Sequence, residues 1–482
     1  MGAEGESGPA PGGASFPRWR AFPPLALGTI MATLDISVVN IALPTLARAF
    51  RVPLTTIEWV VLAYVVTITG LLLTLGRVSD LVGRRRVYGG GLVLFTVASA
   101  LCAAAPGAQL LIAARALQGL GAAMMTANSA AILISSFPEG ERGTALGAFG
   151  AMVGVGLALG PPVGGMLVQL SWRWIFIINL PLGVLAFVQL RARVPSDIPA
   201  PAAPGRSLSL PSAVLWCAAL VLVMLALSRG PASSWRAPSV WFTLLAAAAS
   251  LAAFIAVERR AEFPLLPLGA LRGTLGNAVV LTMIAQALSI TVGFHMPLFL
   301  EEVLGYDAAR SGRWLAIVPL AALLVAPLAG RWADRWGTRR LASLGLAVAA
   351  AGFGVLTRLS VARVPLVVFG GMSLVGLGLG LFTVPNASSV MGAVPKDRLG
   401  LAAGLQATMR NLGIAGGAAA AAAIVASRYE AHGGGILRNT GYAGFSTLAF
   451  AQASRDLYVA MAGLAVLAFL ISRRPAPRVR SL

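Results

Sequence analysis

The chain has 482 residues, of which 57% are hydrophobic and 11% charged, with a mean hydropathy of +0.82. A soluble surface needs about a quarter of its residues charged, so a soluble enzyme, a disordered scaffold and a secreted disulfide protein are excluded; a polytopic membrane protein remains. The formal charge of +20 would suggest nucleic acid in a soluble chain, but here the arginines stand in short loops between apolar runs, the pattern that orients membrane helices, and no nucleic-acid partner is expected.

Residues 1–20 are mostly Gly, Pro and Ala, with acids rather than bases up to Pro17 and no signal-peptide pattern. A disordered cytoplasmic tail is expected there. Fourteen apolar runs follow, at about 21–46, 57–77, 87–105, 109–131, 144–168, 174–192, 210–229, 238–257, 276–300, 313–330, 341–358, 364–390, 401–426 and 457–472, each near the ~20 residues that cross a bilayer. The fifth is broken by Gly160, Pro161 and Pro162. The last is short, which leaves 428–456 as the longest outer loop, and a basic tail, 473–482, closes the chain. With both termini inside, about twice as many arginines fall in inner as in outer stretches. Thirteen spans would put the C-terminus outside. The expected location is a cell membrane.

Cys102 and Cys217 are lone cysteines inside apolar runs, and His295 and His432 stand far apart. Neither a disulfide framework nor a metal site is expected. The sequence has no phosphate-binding glycine loop, so neither ATP nor any cofactor is expected.

After the second run the chain reads Gly76-x3-Asp80-x2-Gly83-Arg84-Arg85-Arg86. After the tenth it reads Gly330-x3-Asp334-x2-Gly337-Thr338-Arg339-Arg340, at a constant offset of 254 residues. Arg142 and Arg398, before the fifth and thirteenth runs, stand 256 apart. Runs one to six (21–195) and nine to fourteen (273–472) therefore read as two related halves, with runs seven and eight in an inserted stretch, 196–272. Repeated halves around a site at the membrane midplane are a transporter architecture.

These loops resemble the loop signature of the major facilitator superfamily. The stretch Leu34-Asp35-Ile-Ser-Val-Val-Asn40-Ile-Ala-Leu-Pro44 resembles the first-helix motif of its fourteen-span drug:proton antiporter branch, the EmrB/QacA type. Arg115-Ala-Leu-Gln118-Gly119-Leu-Gly121 resembles the fourth-helix motif of that branch. Gly156-x3-Gly160-Pro161-x2-Gly164-Gly165 resembles the fifth-helix antiporter motif, and Trp172 to Pro181 resembles the stretch that follows it. The resemblance spans nearly the whole chain. It implies an all-α integral membrane protein with the major facilitator fold: two six-helix halves plus two inserted helices, fourteen transmembrane helices in all. It also implies that Gly76, Asp80, Gly83, Arg84 and Arg85, with Gly330, Asp334, Gly337 and Arg339, form a latch between the halves that breaks as the transporter changes state. Helices one and four would line a central cavity, which the fifth would seal against leak. Thr338 departs from the pattern, standing where the first loop has Arg84.

Asp35 is the only acid deep in a run, ~18 Å from the outer end of its helix. A carboxylate at that depth costs at least ~2.5 kcal/mol on insertion scales and is a functional candidate by default. Arg115, ~9 Å in from the outer face, is the expected partner, tuning the proton affinity of Asp35 differently in two states. Against this proton-coupling reading stand an Asp35 that only braces helix packing and an Arg115 that snorkels to the interface. Gly156, Gly160 and Gly164 share one helix face and allow close backbone approach. With Pro161, which permits a kink, they are expected to meet a helix of the other half. Asn40, Gln118, His295, Arg410 and Asn411 are candidate cavity residues, and Glu58 reads as interfacial.

These readings give secondary active efflux. Protons run inward, a small hydrophobic or cationic organic molecule such as a drug or antibiotic runs outward, and two halves rock to alternate access. The expected partners are that substrate, protons and membrane lipid, with the chain acting as a monomer. Export of one specific metabolite, lipid-like molecule or siderophore is the alternative within the class. An uptake symporter fits less well, because the fifth-helix motif follows the antiporter pattern. A lipid enzyme would need clustered His, Asp and Glu at the interface, which the sequence does not offer. A non-transporting receptor is a third class, separated from transport by substrate-dependent collapse of a pH gradient.

Overall fold

The computed structural model describes residues 18–52, 54–138, 141–195, 209–233, 237–261, 264–266, 268–359, 365–395, 398–433 and 446–473. Most of both expected tails, the stretch 196–208 and the glycines after Gly433 lie outside the described residues. Fourteen long helices, and no strand, are found among the described residues. They are α1 (Phe22–Phe50), α2 (Trp59–Val82), α3 (Arg84–Ala104), α4 (Ala108–Ser135), α5 (Arg142–Leu170), α6 (Asn179–Arg193), α7 (Leu210–Ser233), α8 (Pro238–Arg260), α9 (Thr274–Leu298), α10 (Ile317–Trp336), α11 (Thr338–Leu356), α12 (Pro365–Gly392), α13 (Leu399–Ala431) and α14 (Thr447–Arg473). Thirteen helical stretches are long and apolar enough to cross a membrane, and α5 packs against α1 beside them. Leu324, Leu366 and Phe242 are exposed on the outside. In lipid such side chains carry no penalty, whereas in water a surface rich in them would aggregate.

Two expectations about boundaries are corrected. The break at Gly160, Pro161 and Pro162 does not occur: α5 is one continuous helix of 29 residues, because tight neighbours in a membrane bundle hold a helix together around a proline. The last helix begins at Thr447, ten residues earlier than expected. Arg455 and Asp456 hid this start, and both are partnered: Arg455 donates to the Thr357 carbonyl, and Asp456 meets His432 at 3.0 Å and Arg428 at 3.6 Å.

The internal repeat extends to the packing contacts. In the first half a Cβ on Gly119 would lie 2.7 Å from the Tyr64 carbonyl, and one on Gly91 2.9 Å from the Gly121 carbonyl. In the second half Gly376 would meet the Val318 carbonyl at 2.5 Å, and Gly345 the Gly378 carbonyl at 2.6 Å. The same helix pairs cross through the same small residues, and each crossing needs a residue with no side chain.

Each half has its own apolar core. In the first, Tyr64, Phe95 and Met125 sit in one cluster and Leu46, Trp172 and Phe176 in another; in the second, Phe299, Phe353 and Tyr458 belong to a single cluster. A further cluster joins both halves to the inserted pair through Leu73, Trp216, Phe254, Leu399 and Leu405. Within that pair α7 does the docking. Cys217 donates to the Gly70 carbonyl of α2 at 3.0 Å, and Gly70 leaves room for Val221.

Candidate functional site

Asp35 projects from α1 into the interior of the first half, where five helices converge on it. Its Oδ2 accepts from Arg115 Nη1 at 2.5 Å, and its Oδ1 accepts from Gln118 Nε2 and Asn179 Nδ2, each at 3.0 Å. Arg115 and Gln118 are one turn apart on α4 and so share a face. Arg115 Nε donates to the Val60 carbonyl of α2 at 2.9 Å, and Nη1 also reaches Gln118 Oε1 at 2.6 Å. Gln118 passes the network on to Ser99 Oγ of α3 at 2.8 Å. The guanidinium lies 4.3 Å from the Tyr64 ring centroid, where the ring face attracts a cation. Arg115 Nη2 and the Tyr64 hydroxyl have no hydrogen-bond partner among the described residues.

Asp35, Arg115, Gln118 and Asn179 expose no surface at all. Arg115 therefore does not snorkel, and it is the direct partner of Asp35. Nor do these residues face an open cavity in this conformation; Gln118, expected in the cavity lining, is part of the buried network. Complete burial makes the pair interdependent: each charge is tolerated because the other is present, and removal of one strands the other.

The second constellation is between the halves. Gly83 (φ 114°) and Gly337 (φ 89°) take positive backbone angles that side chains disfavour. Each makes the sharp turn that brings an aspartate at the end of one helix to the start of another. Asp80 accepts from the Gly400 and Leu401 amides at 3.0 Å each, in the first turn of α13. Asp334 accepts from the Gly143 and Thr144 amides at 3.1 and 3.2 Å, in the first turn of α5. Helix N-termini carry unpaired amides and a partial positive charge, which a carboxylate satisfies. A Cβ on Gly76 would strike the Gly400 carbonyl, and one on Gly330 the Gly143 carbonyl, so these contacts are backbone against backbone. Arg84 holds Asp80 through Nε at 3.0 Å and Nη2 at 2.8 Å. Thr338, at the matching place, accepts instead from Ser389.

Arg85 and Arg339 do not cross between the halves. Arg85 donates to the Arg191 carbonyl at 3.0 Å, and Arg339 to the carbonyls of Ser472 and Arg473. Each ties the third helix of its half to the sixth. The glycine stripe is also corrected. Gly156, Gly160 and Gly164 pack on Thr33, Ser37 and Val38 of α1, in the same half. The helix face that meets the other half carries Gly143 and Gly147 against α10. Spacing alone tells which residues share a face, not which neighbour that face meets. A matching stripe in the second half, Gly413 and Gly417, packs on Met283 and Ala287 of α9. Gly165 has open space at its Cβ, and Pro161 is part of the continuous helix.

Among the other candidates, Asn411 donates to Thr69 Oγ1 at 3.0 Å and so joins α13 to α2 across the two halves. Arg410, next to it, is half-buried. Asn40 is exposed and donates to the Ile36 carbonyl of its own helix, and Glu58 is exposed at the start of α2. His295 is buried rather than cavity-facing. Its ring bonds Tyr458 and Ser454, each at 3.1 Å, and stacks on Phe450. Asn179, Ser99 and Tyr64 were not expected at the site; their one signal in the sequence is a polar group within an apolar run.

A helical bundle of two matching halves, joined at one end by reciprocal carboxylate contacts, has the build of a transporter that alternates access. The chain belongs to the Major Facilitator Superfamily, whose model matches residues 25–418 and again 278–480. It is 34% identical over 413 residues to the puromycin resistance protein pur8 of Streptomyces alboniger, covering 83% of this chain and 80% of that one. It is 32% identical over 446 residues to the methylenomycin A resistance protein of Streptomyces coelicolor, covering 90% and 92%. It is also 32% identical over 414 residues to the riboflavin transporter RibZ of Clostridioides difficile, covering 83% and 87%. Among solved structures, the human organic anion transporter MFSD10 aligns with a TM-score of 0.67 at 16% identity, covering 95% of this chain and all of that one. The proton:xylose symporter XylE aligns at 0.65 and 15%, covering 94% of each. These two establish the shared fold, and the family makes the chain a membrane transporter rather than an enzyme.

Proposed function

We propose that this protein exports small hydrophobic or cationic organic molecules across the cell membrane in exchange for protons, as a member of the fourteen-span drug antiporter branch. The observation that carries the export cycle is the reciprocal pair of aspartate contacts. Asp80 and Asp334 close one end of the bundle by hydrogen bonds between halves. Such contacts release as a unit when the halves rock, because each depends on the other half's helix terminus. The closed end carries Arg84–Arg86 and Arg339–Arg340, and by the positive-inside rule it faces the cytoplasm together with both termini. The conformation described is then closed inward, at the stage of the cycle where cargo leaves to the outside.

Proton coupling is assigned to the Asp35–Arg115 pair. In the cycle, a rearrangement of α1 against α4 breaks the 2.5 Å contact and opens the carboxylate to an aqueous path. A second reading, that the pair only braces the first half, is favoured by its complete burial and by the three donors on the Asp35 carboxylate. On the substrate side, the resistance proteins among the relatives support drug or antibiotic export, and the riboflavin transporter supports carriage of one specific metabolite. Proteoliposomes with an imposed pH gradient test the proposal. Puromycin, methylenomycin A and riboflavin are added singly, and a substrate that dissipates the gradient identifies both the cargo class and the coupling. Transport that is indifferent to the gradient would remove the proton from the cycle.

A further inference from the structure

α13 meets two partners with two different faces. Gly413 packs on Met283 and Gly417 on Ala287 of α9, while Gly404 packs on Leu72 and Asn411 bonds Thr69 of α2. At ~100° per residue, Arg410 falls between these two faces. Leu405 and Leu412, which pack with the cluster that includes the inserted pair, fall opposite it. We propose that Arg410, with the side-chain amides of Gln286 and Gln406, binds a carboxylate in the space between the halves, so that the cargo is an apolar molecule bearing one acidic group. Resting on the export reading above, this site narrows the cargo to the hydrophobic part of that range.

The position faces the other half. Ala407, one turn before Arg410, is buried in the first half's cluster with Tyr64 and Met125. Along the same face Ala403 and Ala407 are buried, Arg410 is half-buried and Ile414 is 37% exposed, so the gap between the halves widens away from the arginine-rich end. Arg410 is eleven residues into α13, ~17 Å along it and so near the middle of the bilayer. A guanidinium at that depth is costly and calls for a partner or an aqueous cavity.

The chemistry is that of an unanswered cation. Arg410 makes no hydrogen bond or ion pair among the described residues, and the half-buried side chains of Gln286 and Gln406 make none either. Asp35, the described acid farthest from a helix end, is held by Arg115. The acids outside the described residues stand, in sequence, outside the fourteen helices. Gln406 is one turn before Arg410 on the same face. Gln286 lies beside Gly413, one turn after it, where an added Cβ would be 3.0 Å from the Gln286 Cβ. A carboxylate accepts from a guanidinium and from amide donors beside it, whereas an ammonium group is repelled. The helix crossing does not require the arginine: at the 257-residue offset that takes Gly156 to Gly413, its counterpart in the first half is Val153. Membrane orientation does not require it, because that signal resides in loops.

The test uses the full chain in phosphatidylcholine nanodiscs, with empty discs as the blank, and three fluorescent probes of similar size: dansylglycine, an acid; dansylglycinamide, its neutral amide; and dansyl-ethylenediamine, a cation. Binding is read from the rise in dansyl emission. Dansylglycine is expected to bind about ten-fold more tightly than the amide, and the cation more weakly than either. Arg410→Gln should bring the acid to the level of the amide, and Arg410→Lys should keep part of the preference. Binding of the amide or the cation by the wild type as tight as that of the acid would overturn the proposal, as would no binding of the acid; neither result depends on a variant that assembles poorly. An acid preference that survives Arg410→Gln would overturn it too. The export reading is tested apart from this site, by the proteoliposomes above. Substrate-driven loss of the pH gradient with no acid preference would leave export standing and remove the site, and an acid preference with no flux would do the reverse.

Discussion

Asp80 and Asp334 stand in each other's place across the molecule, each carboxylate accepting the first amides of a helix from the opposite half. The two are not equal. Asp80 is also gripped by Arg84, while Asp334 has the Thr144 hydroxyl at 3.2 Å and no arginine at the place Thr338 occupies. Neutralising either removes a charge from a helix N-terminus, an effect of about 0.3–2 kcal/mol. Asp80→Asn should therefore shift the bundle toward the state open at the arginine-rich end by several-fold, and more than Asp334→Asn, because it also leaves Arg84 without its acid. Cycling should slow while substrate binding stays in place. Spin-label distances between α2 and α13 report the shift; unchanged distances with normal transport would show that these contacts are not a latch.

Gly76 tests the same interface without touching charge. A Cβ there meets the Gly400 backbone carbonyl, and the reverse substitution at Gly400 meets the Gly76 carbonyl. Neither obstacle is a side chain that can turn away. Gly76→Ala should fold, since each half keeps its own core, yet fail to close the arginine-rich end. A cysteine placed on α13 at the seam should then react with a water-soluble maleimide at least as fast in the variant as in a substrate-saturated wild type. A slower reaction would mean that the seam closes around the added methyl group.

The contacts of Asp80 and Asp334 between the halves were legible because the residues around them recur at a fixed offset with an unusual mixture of glycine, acid and arginine. The reach of the repeat was less visible. Gly413 and Gly417 match Gly156 and Gly160, but Ala418 stands where the first copy has Pro161, so the motif loses its most conspicuous member. Asp35 stood out as a charge in an apolar run, and Arg115 stood out for the same reason. Their neighbours Asn179, Ser99 and Tyr64 did not, because one sequence does not say which helices touch. The direction of the α5 stripe failed for a related reason: rotating a helix by a third of a turn leaves its spacing unchanged and gives it a different neighbour.

The stripe yields its own expectation. Gly160 seats Ser37 of α1 so closely that an added Cβ overlaps the serine Cβ and Oγ. Gly160→Val overpacks this crossing at a cost of about 1–3 kcal/mol, two residues from Asp35. The variant should melt below the wild type, and Ser37→Gly added to it should recover part of the loss. A variant that melts normally would show that α1 and α5 are free to separate here.

The Asp35–Arg115 pair separates the coupling role from the bracing role. Removal of one member of a buried pair costs about 3–5 kcal/mol, and replacement of both by neutral groups of similar shape costs far less. Arg115→Gln strands the carboxylate among Gln118 and Asn179, and Asp35→Asn strands the buried guanidinium, so each should lower the melting temperature; the double variant should be milder than either. If the pair couples protons, the double variant will fold and exchange labelled substrate across a membrane without a gradient, but a pH gradient will no longer drive accumulation. If the pair is a brace, gradient-driven transport will follow the folded fraction in all three variants and return in the double one. Melting curves and counterflow measured on the same preparations decide between these outcomes. Gradient-driven accumulation by a well-folded double variant would end the coupling role of Asp35.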